Sequence, residues 1–147
     1  MGFVDTPPNM SVSVIDAIQS ATLVIIPCRP GVFDIVAVQE TIGFARRAST
    51  PYAVVLNSAP PRRQDVESPL VTYARECLTE LKTPVWGGQI TQRASFLLSL
   101  GEDEGVKEYD IDSDSTAEIG RLRRAIEKSV TAIRGAREGV VMHRVAA

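Results

Sequence analysis

Residues 22–57, TLVIIPCRPGVFDIVAVQETIGFARRASTPYAVVLN, decide the fold class of this chain. They contain two short apolar runs, separated by a longer stretch in which apolar residues recur at helical spacing. A continuous apolar run rich in β-branched residues predicts a strand that is covered on both faces of a sheet. The order strand, helix, strand predicts a parallel sheet crossed by helices. The chain is therefore predicted to be an α/β protein.

The two runs predict strands over residues 22–27 and 52–56. The first is predicted to be an interior strand, closed by Pro27 and Pro30, because proline cannot donate to the ladder. Asp34 precedes the helix between them, and two basic residues suit the dipole-negative end of that helix. Its predicted core-facing residues are Ile35, Val38, Ile42 and Ala45, and its basic end is Arg46 and Arg47.

Further elements are predicted on both sides of this unit. A first strand over residues 1–4 leads into Asp5, and Ser11 or Ser13 caps a helix that runs to about Gln19. A long helix over residues 65–81 is followed by a short strand over 83–86, a Gly-Gly turn and a helix over 93–100. An acidic linker over residues 101–114 leads to a last helix, which Gly135 is expected to end. Residues 1–147 are predicted to form one domain.

The composition sets bounds on function. The chain has 147 residues, of which 44% are hydrophobic and 23% charged, as expected for one globular domain with a real core. A net charge of −2 gives no global attraction to nucleic acid or anionic lipid, so such binding would need a local basic patch. Two cysteines and one histidine lack metal-ligand spacing, and no signal peptide or long apolar span is seen. The expected location is the cytoplasm, without a membrane.

Four segments in fixed order carry a family resemblance: FVDTPP at 3–8, ATLVIIPCRPGVFDIVAV at 21–38, YAVVLN at 52–57 and ITQR at 90–93. Together they resemble the C-terminal portion of ParA/MinD-type partition ATPases. The resemblance covers nearly the whole chain. It implies a Rossmann-like parallel sheet flanked by helices, as part of a deviant P-loop NTPase fold. It also implies ATP-dependent dimers, nonspecific DNA binding, stimulation by a centromere-binding (ParB-type) partner, and a role in plasmid or chromosome segregation.

Asp5 is the first candidate site residue, because an acid at the C-terminal end of a parallel strand lies where phosphate ligands bind. The resemblance implies that Asp5 helps to hold Mg²⁺ on ATP through water, in keeping with the reluctance of this ion to lose its hydration shell. The next residues, Thr6, Pro7 and Pro8, correspond to a switch segment that responds to the γ-phosphate. The alternative is a turn aspartate, with prolines that simply end a strand.

Asn57 follows the second strand of the central unit. Its amide both donates and accepts hydrogen bonds, which suits the edge of adenine, and the family often reads the base there. Pro60 is a candidate to flank that base. The alternative is an Asx-turn that opens the loop. Arg62 and Arg63 fit a solvated loop.

Two basic features could contact DNA phosphates: Arg93 in the ITQR segment, and a set of three residues on the last helix. Arg121, Arg124 and Lys128 have the spacing i, i+3, i+7, which places them on one helix face. This set is called the basic stripe below. The alternative is a solubilising outer face opposite the apolar residues of the same helix.

Phosphoryl transfer needs a glycine-rich loop with a lysine, and none of Lys82, Lys107 and Lys128 lies in a Gly-Lys-Ser/Thr sequence. The phosphate-binding N-terminal half is expected to be missing, so the chain alone is expected not to hydrolyse ATP. A late start, gene decay and a half-protein that completes its sheet with another chain or as a homodimer all remain open. The alternative function is a noncatalytic dimerisation or regulatory module that acts on an intact ParA-type protein.

Overall fold

A computed structural model describes residues 2–7, 11–102, 105–109 and 113–145. The described chain is mixed α/β, which confirms the predicted class, with a small parallel sheet and helices around it. Its elements in chain order are α1 (Val12–Ser20), β1 (Val24–Cys28), α2 (Val32–Arg47), β2 (Tyr52–Leu56), α3 (Pro69–Glu80), α4 (Ala94–Gly101), α5 (Val106–Tyr109) and α6 (Asp114–Val145).

The sheet is built on β2. Strand β1 pairs with it in parallel, from Val24 opposite Tyr52 to Cys28 opposite Leu56. On the other side of β2, an isolated parallel bridge joins Val54 to Val85. The strand predicted over residues 83–86 is thus reduced to one bridge, because Pro84 cannot donate to a ladder and the chain bends at the two following glycines.

Strand β1 lies at an edge of the sheet within the described residues, so the prediction of an interior strand is wrong. Val24 N donates to Pro51 O (2.8 Å) and Cys28 O accepts from Asn57 N (2.8 Å), so these residues turn their backbone groups toward β2. In the alternating ladder, Ile25 and Pro27 turn their backbone groups away from it. Proline lacks an N–H and is tolerated at such an outward position. Pro27 therefore lies inside the strand that it was expected to close.

The strand predicted ahead of Asp5 does not form. Residues 2–7 have no regular structure, and Phe3 and Val4 are 72% and 80% exposed. Ordering the backbone of a residue costs about 1–2 kcal/mol of conformational entropy. The three described residues before Asp5 can form only a few ladder hydrogen bonds, too few to offset this cost. Asp5 is consequently exposed in an irregular segment and does not follow a sheet strand.

The helices around β1 follow the predicted pattern. Ser11 holds the N-cap position of α1, but its side chain makes no capping hydrogen bond, and Ser13 lies inside the helix. The helix buries Val14 and Ile18. Helix α2 buries Ile35, Ile42 and Ala45, and its last turn carries the two predicted arginines. The predicted inward face of α2 is confirmed for its buried residues, and Val38 is half-buried against the same cluster, because apolar residues at intervals of three, four and seven share one helix face.

The main core lies between α2, α3 and the strands β1 and β2. Val54, Leu56, Val71 and Leu78 are each 0% exposed, and Ile26 and Ile42 belong to the same cluster. This cluster holds the ends of β1 and β2 in place, and with them the loops that follow.

Two helix boundaries differ from the prediction. Helix α3 begins at Pro69 and not near residue 65, because Ser68 Oγ accepts from Leu70 N (3.3 Å) and Pro69 suits the first turn. Ahead of it, Gln64 and Asp65 have positive φ, which a helix does not allow. The predicted acidic linker, in turn, contains α5.

Helix α6 has 32 residues and continues through Gly135, so the predicted stop is wrong. A glycine inside a helix costs only about 1 kcal/mol relative to alanine, and it ends a helix when it adopts positive φ. No glycine in the described part of the chain has positive φ. Despite its length, α6 is too polar to span a bilayer, and the same criterion of length and apolar character excludes the other described helices.

Candidate functional site

The carboxyl ends of β1 and β2 meet at one edge of the sheet, where Asn57 follows β2. Its N–H donates to Cys28 O, and its side chain is half-buried. The side-chain amide makes no hydrogen bond to any described residue, so the Asx-turn alternative does not form among them. Among the described residues nothing occupies this amide, so it can meet a polar group at this edge.

The N-terminus of α2 lies beside the same edge, and it already carries an acid. Gly31 is the N-cap residue, and an added Cβ there would lie 2.8 Å from Asp34 Oδ2. The carboxylate thus folds back over the helix terminus, where negative charge is favoured. A phosphate at this terminus would meet the charge of Asp34.

Burial, together with the charge of Asp34, raises the pKa of the Cys28 thiol to about 11. At neutral pH the thiol is protonated, whereas the thiolate is the reactive form. Cys28 therefore fits its predicted role as a small buried apolar residue and is not a nucleophile.

The loop after β2 is paired with the ITQR segment. Ala59 N donates to Ile90 O (3.0 Å), and Gln92 N donates to Ala59 O (2.8 Å). Gln89 Nε2 donates to Pro60 O (3.0 Å) and to Thr91 Oγ1 (3.1 Å). Pro60, the residue predicted to flank a base, is thereby fixed by a buried glutamine. The buried Gln89 Oε1 has no partner within the described residues.

Glu118 joins the same segment to α6. This residue is 6% exposed and accepts from Thr91 N (2.8 Å), Thr91 Oγ1 (2.8 Å) and Arg93 (3.2 Å). A buried carboxylate is tolerated only when its oxygens are satisfied in this way. We call Thr91, Arg93, Asp114 and Glu118 the α6 clamp, because they fix the first turns of α6 to the ITQR segment.

Glu118 was not among the predicted site residues, although its position in the sequence carries a signal. Glu118 precedes Leu122 and Ile126 by four and eight residues and therefore shares their helix face. A carboxylate within an apolar stripe indicates a buried acid that needs donors. Thr91, 27 residues earlier in the chain, could not be identified as its donor from spacing.

Arg93 takes part in the α6 clamp. Its guanidinium lies 3.2 Å from both Asp114 Oδ2 and Glu118 Oε1, and its side chain is 32% exposed. Two carboxylates inside the chain thus balance the charge that was predicted to contact DNA. A phosphate would have to compete with both of them.

The basic stripe on α6 has a different environment. Arg121, Arg124 and Lys128 are exposed, and none of them forms an ion pair within the described residues. The neighbouring Arg123 differs, because it pairs with Glu127 at 2.9 Å. The stripe spans about 10 Å along the helix. It therefore presents three uncompensated cations on the face opposite Leu122 and Ile126.

Asp5 is the one predicted metal-side residue, and it lies in the exposed segment 2–7. No group of three or more His, Cys, Asp and Glu side chains in the described residues could hold a metal ion. A single carboxylate does not make a Mg²⁺ cage, since this ion takes six oxygen ligands, including waters and phosphates. Thr6 and Pro7 are exposed in the same segment, and Pro8 lies outside the described residues.

The structure thus brings Asn57 and Pro60 to one edge of the sheet, and it connects that edge to α6 through the clamp. It does not bring Asp5, Thr6 and Pro7 into a sheet strand at that edge. No protein-family model matches the chain, and no curated protein matches it either.

Proposed function

We propose that this chain is a ParA-like partition protein that contacts DNA through the basic stripe on α6. The observation that carries the proposal is the row of three cations on the outer face of this helix, which are exposed and form no ion pair among the described residues. Lysine and arginine contacts to phosphates supply most of nonspecific DNA affinity. The net charge of the chain is −2, so the attraction must be local to this face.

The fold proposed with this function is a Rossmann-like parallel sheet, part of a deviant P-loop NTPase fold. The parallel pairing of β1 and β2 across the crossover helix α2 supports it. In this proposal Asn57 and Pro60 contact the base of ATP, and Asp5 contacts Mg²⁺ through water. Thr6, Pro7 and Pro8 form the switch segment, and a centromere-binding partner stimulates the protein. The phosphate-binding lysines would come from outside these residues.

Replacing Arg121, Arg124 and Lys128 together with alanine is expected to weaken nonspecific binding to duplex DNA. A plot of log K against log salt concentration has a negative slope of about 0.9 for each phosphate contact. The triple variant should therefore have a slope that is shallower by about 3 units. Fluorescence anisotropy with a labelled duplex over a salt series measures both quantities.

The matched control replaces Arg63, Lys82 and Lys107 with alanine. These three residues are also exposed and have no ion pair within the described residues, so the change in net charge is the same. The control should keep its slope. Equal slopes for the two triple variants would reject the basic stripe as a DNA contact.

Arg93→Ala is expected to lower the free energy of unfolding and to change the salt dependence of DNA binding only slightly, because Arg93 is held in the clamp.

The alternative function, a noncatalytic module that dimerises or regulates an intact ParA-type protein, is favoured by exposed apolar residues on α2 and α3. Val32, Phe33 and Val36 are 54%, 90% and 59% exposed. Exposed apolar patches of this kind mark interaction surfaces. Nucleotide binding separates the two functions.

The chain alone is expected to show no turnover of Mg²⁺-ATP in a phosphate-release assay, since no lysine lies in a phosphate-binding loop. Binding of a fluorescent ATP analogue that Asn57→Ala weakens would support the partition proposal. Undetectable binding would favour the regulatory module. Turnover that disappears in Asp5→Ala would contradict the expectation of an inactive chain.

A further inference from the structure

Helix α2 has a second apolar face that the core does not use. Its buried face contains Ile35, Ile42 and Ala45, whereas Phe33 is 90% exposed and Val32 and Val36 are more than half exposed. On the neighbouring α3, Leu70 and Tyr73 are 45% and 47% exposed. Burying a large apolar side chain is favourable, so five of them left in water on adjacent helices require an explanation.

A groove of about 280 Å³ runs between these two helices. Val32 and Val36 line it from α2, and Tyr73, Cys77, Glu80 and Leu81 line it from α3. The neighbouring Cys77 side chain raises the pKa of the Tyr73 hydroxyl, and both residues belong to the lining of the groove. Small-molecule sites usually enclose 300–1,000 Å³ and carry several convergent polar groups. An apolar cavity of about 150 Å³ admits benzene, so this groove suits one aromatic side chain.

Phe33 is 90% exposed on α2, directly after Val32 and less than one turn before Val36, and both of these valines line the groove. We propose that this α2–α3 surface binds a second copy of the chain, with Phe33 of each copy inserted into the groove of the other. In a two-fold dimer the same patch serves both subunits, so a projecting side chain beside a matching groove is self-complementary. The surface is separate from the basic stripe.

Area and charge also fit a second copy. A stable interface buries about 800 Å² on each partner, and a buried aromatic side chain alone supplies about 150–250 Å². Phe33 with Val32, Val36, Leu70 and Tyr73 therefore provides a large part of that area. Arg29, in the loop before α2, and Glu80, in the groove, are both exposed and form no ion pair within the described residues. Their opposite charges suit the approach of one copy's loop to the other copy's groove.

A disulfide tests the contact directly. Phe33→Cys places a thiol where the proposal puts it next to Cys77 of the second copy, and mild oxidation should give a covalent dimer on a nonreducing gel. Disulfides form only when the two Cα atoms can approach to about 4.4–6.8 Å. Cys28 is buried and protonated at neutral pH, so it does not compete.

Two controls make the test specific. The double variant Phe33→Cys/Cys77→Ser should give no covalent dimer. Val12→Cys, on the exposed face of α1 with Cys77 intact, should not dimerise either, since Val12 is 77% exposed but lies away from the groove. A dimer that persists without Cys77, or equal yields from the Val12 and Phe33 variants, would overturn the proposal.

The oligomeric state of the unmodified chain gives an independent test. Sedimentation equilibrium should show a monomer–dimer equilibrium, and Phe33→Ala should raise its dissociation constant at least tenfold, as for a central aromatic anchor. Because Phe33 is 90% exposed, the variant should fold normally, which far-UV circular dichroism checks. A wild-type chain that stays monomeric at several hundred micromolar, or a dimer unaffected by both Phe33→Ala and Val36→Asp, would reject this surface.

Discussion

Glu118→Ala is expected to lower the free energy of unfolding by about 3 kcal/mol. The substitution removes the acceptor for Thr91 N, Thr91 Oγ1 and Arg93 at once. Removing one partner of a buried ion pair costs about 3–5 kcal/mol, because the other charge is left uncompensated. Arg93 is 32% exposed and can be partly rehydrated, so the lower end of that range applies. Urea unfolding followed by far-UV circular dichroism measures the change.

The matched control is Glu127→Ala on the same helix. Glu127 pairs with Arg123 at 2.9 Å, but both side chains are exposed. Exposed pairs contribute about 0–1 kcal/mol, so the control should be nearly neutral. The loss of unfolding free energy for Glu118→Gln should lie between those of the two alanine variants, because the amide keeps one acceptor oxygen but has no charge. If Glu118→Ala and Glu127→Ala have equal free energies of unfolding, the α6 clamp does not stabilise the contact between α6 and the ITQR segment.

Leu78→Ala is expected to lower the free energy of unfolding by about 2–5 kcal/mol. Leu78 is 0% exposed, and it packs in the main core with Leu56 and Val71. Truncation removes apolar contacts and leaves a cavity that a close-packed interior fills only in part. The shift of the urea midpoint, at constant slope, reports the loss.

Leu70→Ala provides the comparison on the same helix. Leu70 is 45% exposed, so the same chemical change should cost less than about 1 kcal/mol. The two variants thus make the same Leu→Ala change at a buried and at a half-exposed position. A similar loss for both variants would mean that Leu78 is not buried in the main core as described.

Much of the central unit could be predicted from the sequence. Strand β2 has the predicted bounds, and α2 turns the expected residues inward. Both follow from local rules, since proline bounds the strand and apolar residues recur at helical spacing. The same rules placed the start of α1 at Ser11 or Ser13, and the helix begins directly after Ser11.

Other features depend on partners that spacing does not reveal. The run before Asp5 has strand-forming residues but finds no ladder partner in the described chain. Gly135 looked like a helix end, and only its conformation shows that α6 continues. The ion pairs of Arg93 were also missed, because its two carboxylate partners are 21 and 25 residues further along the chain. The sequence around a basic residue does not show whether its charge is available to a ligand or is already paired with a carboxylate elsewhere in the chain.

Pro27 has a consequence for the solubility of this chain. Of the two residues in β1 that turn their backbone groups outward, Ile25 has an N–H and Pro27 has none. A foreign strand that approached this edge would find a single donor within the strand, too few to extend a continuous ladder. Pro27, which was predicted to end this strand, therefore disfavours amyloid-like stacking of one chain on the next.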